Sequence, residues 1–322
     1  MVGATDPCAA PVTPRAAAQV LEHIGEAYVA VDAYWRFTYV NAQAEQIYKR
    51  PREHLIGNTL WQMYPRALGT EFERVYRRAM AERIESRVQA PFPQLGGWFS
   101  VKVYPLDDGG LAFYFSDVTD RHRAEKHLAC HRELLKLIFA GEPLGKLLNV
   151  ITTTLEAISI HPVIASIVLA DADSGQLQFG ISPAVPECIR KSIDRISIAT
   201  PELGPCAAAA FGRETVVVEK IAEHPSEGFR QFARQNGLHA AWATPIVSPD
   251  GVVLGTLALY YRESLRPPPE QEESARLLAN LAALLILHHT SKQAHTTATK
   301  DQAVPKATKK AARCSQQGLA RS

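Results

Sequence analysis

The chain has 322 residues, 46% of them hydrophobic and 21% charged, enough apolar material for about two globular domains. Its net charge of +2 excludes a bulk field favouring nucleic acid or membrane; the basic excess is local, with seven Lys or Arg against one Asp in residues 291–322. Five cysteines (Cys8, Cys130, Cys188, Cys206 and Cys314) without a CxxC, no apolar run of the ~20 residues a membrane span needs, and no continuous apolar core in the first residues predict a cytoplasmic protein without a disulfide framework.

Residues 1–14, rich in Pro and Ala, read as a loose N-terminus, and 15–25 as a short helix with Val20, Leu21 and Ile24 on one side. AYVAVD and WRFTYV read as two strands around a turn at DAY. Asn41 is placed to cap a helix over AQAEQIYKR that stops before Pro51. Phe72, Val75, Tyr76, Ala79 and Met80 recur at helical spacing within residues 69–83. Three strands follow, SRVQAPF, GWFSVKVYP and GLAFYFSD, the last two joined by a glycine-rich hairpin turn, LDDGG.

At Asp117 the apolar pattern gives way to a charged stretch. Thr119 or Asp120 can cap a helix there, and Leu128, Leu134, Leu135 and Ile138 mark an apolar side before Gly141 and Pro143 break it. An amphipathic helix over 142–158 carries Leu144, Leu147, Leu148, Ile151, Leu155 and Ile158 in one stripe. Strands VIASIVLAD and QLQFGI, a helix over 186–196, an Ala-rich helix after Gly204-Pro205, a strand at TVVVEK and a helix ended by Gly237 come next. Two more strands, AAWATPIVS and GVVLGTLALYYRE, precede a long helix over 268–289 with acids in its first turn and His288-His289 at its end. Residues 291–322 read as a disordered basic tail, whose Lys/Ala pattern suits a solubilising role or a contact with nucleic acid or an acidic partner. The order predicts an α+β fold of two domains, each an antiparallel sheet flanked by helices and joined by a helical linker.

No phosphate-binding glycine loop, zinc-protease motif or nucleophile elbow is present. Asp171-x-Asp173-x-Gly175 has its Gly misplaced for a calcium loop and reads as a turn, and His288-His289 reads as a helix end, so no metal site is expected. His131-Arg132-Glu133-Leu134 is a weak match to a phosphoacceptor histidine, but no ATP-binding segment follows it.

Residues 27–41, 55–65 and 98–121, the last closing on Asp117-Val118-Thr119, resemble the PAS family over residues 15–122. Residues 204–225, 237–263 and the long final helix resemble the GAF family, over about 131–290. The resemblance implies a PAS domain at 15–122, a linker or signalling helix at 119–141 and a GAF domain at 142–290. It also implies a sensory protein of bacterial signal transduction, working as a homodimer with an output partner such as a kinase, a response regulator or a cyclic-di-GMP enzyme. No catalytic motif, GGDEF or EAL is found, so the chain is expected not to be an enzyme. The alternative is the receptor half of a histidine kinase, diguanylate cyclase or phosphodiesterase.

The resemblance also frames the ligand question. No Cys lies between Cys8 and Cys130, against a thiol adduct with flavin, and no His lies on the long helix, against the usual haem ligation there. Cys206 is followed by Ala207, against Cys-His bilin attachment. The cofactor is left open: non-covalent flavin, a fatty ligand, a small metabolite or none. Phe37, Tyr39, Tyr48, Trp61, Trp98, Phe113 and Phe115 are candidate pocket aromatics of the first domain, or its core. Cys206, Trp242, Thr244 and Tyr260 are the candidates of the second. Cys206 reads first as a small buried residue packing its helix; the alternative is a redox sensor, since a helix N-terminus beside it would lower its thiol pKa. Asp117, Thr119 and Arg121 are the expected relay residues, on a helix that signals or merely spaces.

Overall fold

A computed structural model describes residues 14–171, 173–181 and 196–302; at 14–18, 179 and 293–302 it describes the backbone. The helix expected over 186–196 lies almost wholly outside the described residues, as do Cys8, Cys188, Cys314 and the tail beyond Gln302. The fold is α+β with two antiparallel sheets, one in each of two compact units. The first unit holds the described residues up to Ala129 together with Ile158–Pro162; the second holds Cys130–Ala157 and the described residues from Val163 onward.

The first unit opens with α1 (Pro14–His23), β1 (Ala27–Val31), β2 (Phe37–Val40), α2 (Ala42–Tyr48), α3 (Leu60–Met63) and α4 (Glu71–Glu82). β3 (Ser86–Phe92), β4 (Gly97–Pro105) and β5 (Leu111–Asp117) complete a sheet of order β2-β1-β5-β4-β3. β2 starts two residues later than WRFTYV suggests. Trp35 takes a left-handed conformation, φ 68°, in a turn held by the Asp32 carboxylate, which accepts from the amides of Tyr34 and Arg36.

Asn41 caps α2 as expected and does more. Its fully buried side chain accepts from Ala44 N and Tyr28 N and donates to the carbonyls of Leu21 and Glu26, which joins α1, β1 and α2. Strand alternation sorts the sheet's faces. Phe99, Val101 and Val103 of β4 and Leu111, Phe113 and Phe115 of β5 are buried against α2–α4 side chains such as Leu60, Phe72 and Tyr76.

The helix α5 (Thr119–Phe139) follows β5, and the boundary between the units falls within it, between Ala129 and Cys130. Its expected single apolar side is divided: Leu134 is buried, whereas Leu128, Leu135 and Phe139 are 60%, 55% and 88% exposed.

In the second unit, α6 (Leu144–Ile158) buries Leu147, Leu148, Ile151 and Leu155. β6 (Val163–Asp171), β7 (Gln176–Ile181), β8 (Ile196–Ser197), β9 (Val216–Val218), β10 (Ala240–Val247) and β11 (Val253–Tyr261) form a sheet of order β8-β7-β6-β11-β10-β9. The Asp171 carboxylate accepts from Asp173 N in the β6–β7 turn, as the turn reading requires. Two helices, α7 (Pro205–Gly212) and α8 (Glu227–Asn236), lie on one face of this sheet; α8 ends at Gly237 in the left-handed conformation, φ 63°. The last helix, α9 (Pro269–Gln302), packs on β10 and β11. It continues past residue 290, into the segment expected to be disordered, because no Gly or Pro interrupts its sequence. No described helix is long and apolar enough to cross a membrane.

Candidate functional site

The first unit encloses a cavity of about 50 Å³ between β3–β5 and the helices facing them. Of the predicted aromatics, Tyr48, Phe113 and Phe115 line it, joined by Tyr64, Phe72, Tyr76, Phe92 and Phe99. At the ~30 Å³ of a water in the liquid the volume admits one or two waters, far below the ~300 Å³ at which ligand pockets begin. Burial holds the hydroxyls of Tyr48, Tyr64 and Tyr76 above the ordinary phenol pKa, so all three stay protonated. The Tyr64 hydroxyl is buried without a hydrogen-bond partner.

Four predicted pocket residues sit elsewhere. Phe37 is buried in the same core, edge-on to Tyr48, and does not line the cavity. Tyr39 is on the opposite face. A bulge at Thr38 pairs Phe37 with Val31 but Tyr39 with Ala30, so the two aromatics point to different sides, and the Tyr39 hydroxyl donates to Glu22. Trp61 packs beside Trp35, ring centroids 4.9 Å apart, under the Arg77 guanidinium. Trp98 alternates with Phe99 and therefore faces outward, where it stacks on His122.

That outward face carries the start of α5. The Asp117 carboxylate accepts from Thr119 N and from the Thr119 hydroxyl, and Thr119 Oγ1 in turn accepts from Trp98 N at 2.9 Å. The amide of Val118 donates to the Trp98 carbonyl at 2.8 Å. Asp117 thus takes the capping role that sequence assigned to Thr119 or Asp120, while Thr119 ties the helix to β4. Gly97 makes the approach feasible: a Cβ there would lie 2.7 Å from Thr119 Oγ1. Arg121 takes no part in this junction; it is exposed and pairs with Glu125 at 3.9 Å. His122, which the sequence reading passed over, does take part. It is buried on Trp98, with Nδ1 3.4 Å from the Gln89 amide nitrogen. Its signal in the sequence is its place one helical turn after Thr119.

In the second unit a pocket of about 350 Å³ lies over Cys206 and Tyr260, walled by Phe229 and Phe232 of α8. The Cys206 sulfur is 3.7 Å from the Tyr260 hydroxyl. Burial pushes the Cys206 thiol pKa up, outweighing the hydrogen bonds that lower it, so the sulfur is a buried neutral thiol, as suits the packing role rather than a redox thiolate. Trp242 and Thr244 do not share this pocket. Antiparallel pairing sets Tyr260 opposite Ala241 and Trp242 opposite Leu259, which puts Trp242 and Thr244 on the other face of the sheet. Among the described residues no group of three or more His, Cys, Asp or Glu is placed to hold a metal ion.

Comparison with known proteins agrees with this architecture. The PAS fold family matches residues 21–123 and the GAF domain family residues 141–287. A methyl sulfide methyltransferase-associated sensor of Methanosarcina acetivorans is 30% identical over 172 residues, 53% of this chain; the match spans 17% of that sensor's length. Among solved structures, the GAF domain of a phosphoenolpyruvate-protein phosphotransferase from Coxiella burnetii is 20% identical over 53% of this chain and 98% of its own, with a TM-score of 0.45. The chromophore-binding domain of a bacteriophytochrome from R. palustris is 12% identical over 84% of this chain and 95% of its own, with a TM-score of 0.39. The chain is built of a PAS domain, residues 21–123, followed by a GAF domain, residues 141–287.

Proposed function

We propose that this protein is a cytoplasmic, non-enzymatic sensor that passes a ligand- or partner-dependent change in its domains through α5 to a separate output protein, a kinase, response regulator or cyclic-di-GMP enzyme. One observation carries the reading: the cavity wall and the anchor of α5 share two strands. Phe99 lines the cavity while its neighbour Trp98 holds Thr119 and His122, and Phe115 lines it two residues before Asp117. A movement of either phenylalanine therefore reaches the first turn of the helix through one or two peptide units. Hydrogen exchange tests this. Phe99→Leu should change the protection of the amides of residues 119–124, and unchanged protection would remove the relay.

The reading includes a homodimer. Leu128 and Leu135 on α5, and Leu277 and Leu284 on α9, are exposed leucines seven residues apart, the spacing of a helix–helix seam. Light scattering at micromolar concentrations should give twice the chain mass, and Leu128→Glu with Leu135→Glu should halve it. A monomer in the unsubstituted chain would end this part.

A second reading, the receptor portion of a histidine kinase or cyclic-di-GMP enzyme, is favoured by the greater length of the matched Methanosarcina sensor. Sequencing the transcript on both sides of this reading frame tests it: an in-frame catalytic segment would replace the first reading.

A further inference from the structure

We propose that α5 carries a site for a divalent transition-metal ion of the zinc class that only two copies of the chain complete, with His127 and His131 of each copy as its ligands. This rests on the reading of the chain as a homodimer paired along α5, and names an ion that would control the pairing and the side chains that hold it.

Spacing comes first. His127 and His131 stand four residues apart within α5, so their imidazoles leave one side of the helix a turn apart, with Cβ atoms about 5–6 Å from each other. Paired histidines at this spacing can ligate a single zinc ion. His131 is exposed and His127 half-buried. Cys130, between them in sequence, turns inward and is 2% exposed, and burial pushes its thiol pKa up, so it does not serve as a third ligand. Two imidazoles fall short of the three or four protein ligands that zinc takes, which is why no metal group is found among the described residues of one chain.

The second copy supplies the rest. Leu128, His131, Leu135 and Ile138 follow one another at intervals of three, four and three, the a/d pattern of paired helices, and Leu128 and Leu135 are 60% and 55% exposed. His131 thus takes a core position of the seam between two exposed leucines, and His127 flanks it on the edge of the same stripe. In a parallel pair each core residue meets its own copy, so the two His131 side chains face each other and the two His127 side chains close in from the flanks. A polar residue at a core position weakens a helical seam while specifying its register. Four imidazole nitrogens around one ion are a tetrahedral set that zinc accepts, and the bound ion turns the weak point into a clamp. Metal occupancy then sets how tightly two copies hold the helix that the PAS domain anchors at Asp117 and Thr119.

Titration of the untagged full chain with Co(II), after stripping with EDTA and dialysis, tests this, read by the visible absorption of tetrahedral cobalt and by light scattering. The expected result is saturation at one cobalt per two chains, displacement by Zn(II), and a dimer that dissociates at a concentration at least tenfold lower with Zn(II) than without. His127→Ala and His131→Ala should each abolish the tetrahedral absorption and the zinc effect; alanine is the best helix former, so both variants keep α5. His288→Ala, on α9, should change neither. Saturation at one cobalt per chain, absorption without tetrahedral character, or a zinc effect that survives both substitutions would each overturn the site. A dimer indifferent to zinc removes the site and keeps the homodimer. A chain that is monomeric without zinc and dimeric with it keeps the site and removes the unaided seam, and a chain monomeric in both conditions removes both.

Discussion

The imidazole of His122 lies flat on the indole of Trp98, with centroids 3.7 Å apart and planes 15° from parallel. This contact pins the first turn of α5 to the outer face of β4, one residue from a side chain in the cavity wall. His122→Ala should cost the PAS domain about 1 kcal/mol, the scale of a stacked pair, and speed amide exchange over residues 119–124. His122→Phe should restore both, since it keeps the stack; a Phe variant that behaves like Ala would mean that the ring nitrogens, not the stacking, hold the helix.

Asp117 and Thr119 act on the same turn through hydrogen bonds. Replacing both with Ala removes the bonds to Thr119 N and Trp98 N, at about 1 kcal/mol each. Both sheets should keep their circular dichroism while α5 loses protection at its start. If exchange there is unchanged, the helix is a spacer held by its other contacts.

Asn41→Ala should be among the most damaging single changes in the PAS domain. It strands two buried amides, Tyr28 N and Ala44 N, and two carbonyls that the side chain now satisfies. A loss of about 2–4 kcal/mol follows from leaving such groups unpaired, measured by urea unfolding. A loss below about 1 kcal/mol would show that water replaces the amide.

Arg52 bridges α1 and α2 through Glu22 and Glu45, each at 2.6 Å. Its hydrogen bonds hold both carboxyls below the usual glutamate range. A carboxyl whose folded pKa is depressed contributes stability that is fully present above its unfolded pKa, about 4.3, and is lost as pH falls through the lower folded value. The first domain should therefore lose stability below about pH 4.3, and Arg52→Met should flatten that part of the profile in unfolding measured from pH 6 to 3. An unchanged slope in the variant would assign the acid sensitivity to other carboxylates.

Tyr64→Phe should raise stability. The Tyr64 hydroxyl is buried with no partner, and removing it returns about 1 kcal/mol of desolvation cost at nearly constant shape. Thermal melting of the variant checks this; a lowered melting temperature would reveal a water or ligand on that hydroxyl.

Much of the fold was legible in local pattern. Asn41 before its helix, Gly237 after another, the alternation in GWFSVKVYP and the break at Asp117 each act over a few residues, so the elements they mark appear where expected. The same alternation held a clue that the site reading did not use: Phe99, Val101 and Val103 are uniformly apolar in one phase, while Trp98, Ser100 and Lys102 are mixed, which already marks Trp98 as the outward residue.

What sequence by itself determined was the order and type of elements and the two-domain plan, because helix caps, turns and side-chain periods depend on near neighbours. Tertiary structure alone decided which aromatics share a space. The bulge at Thr38 turned Tyr39 away from Phe37, and cross-strand register separated Trp242 from Tyr260. The same holds for charge state: the start of a helix would favour a Cys206 thiolate, but the sheet and helices packed around that sulfur remove it from water and keep it neutral. Register and desolvation are set by residues far apart in the chain, and in this protein they decide what each cavity can hold.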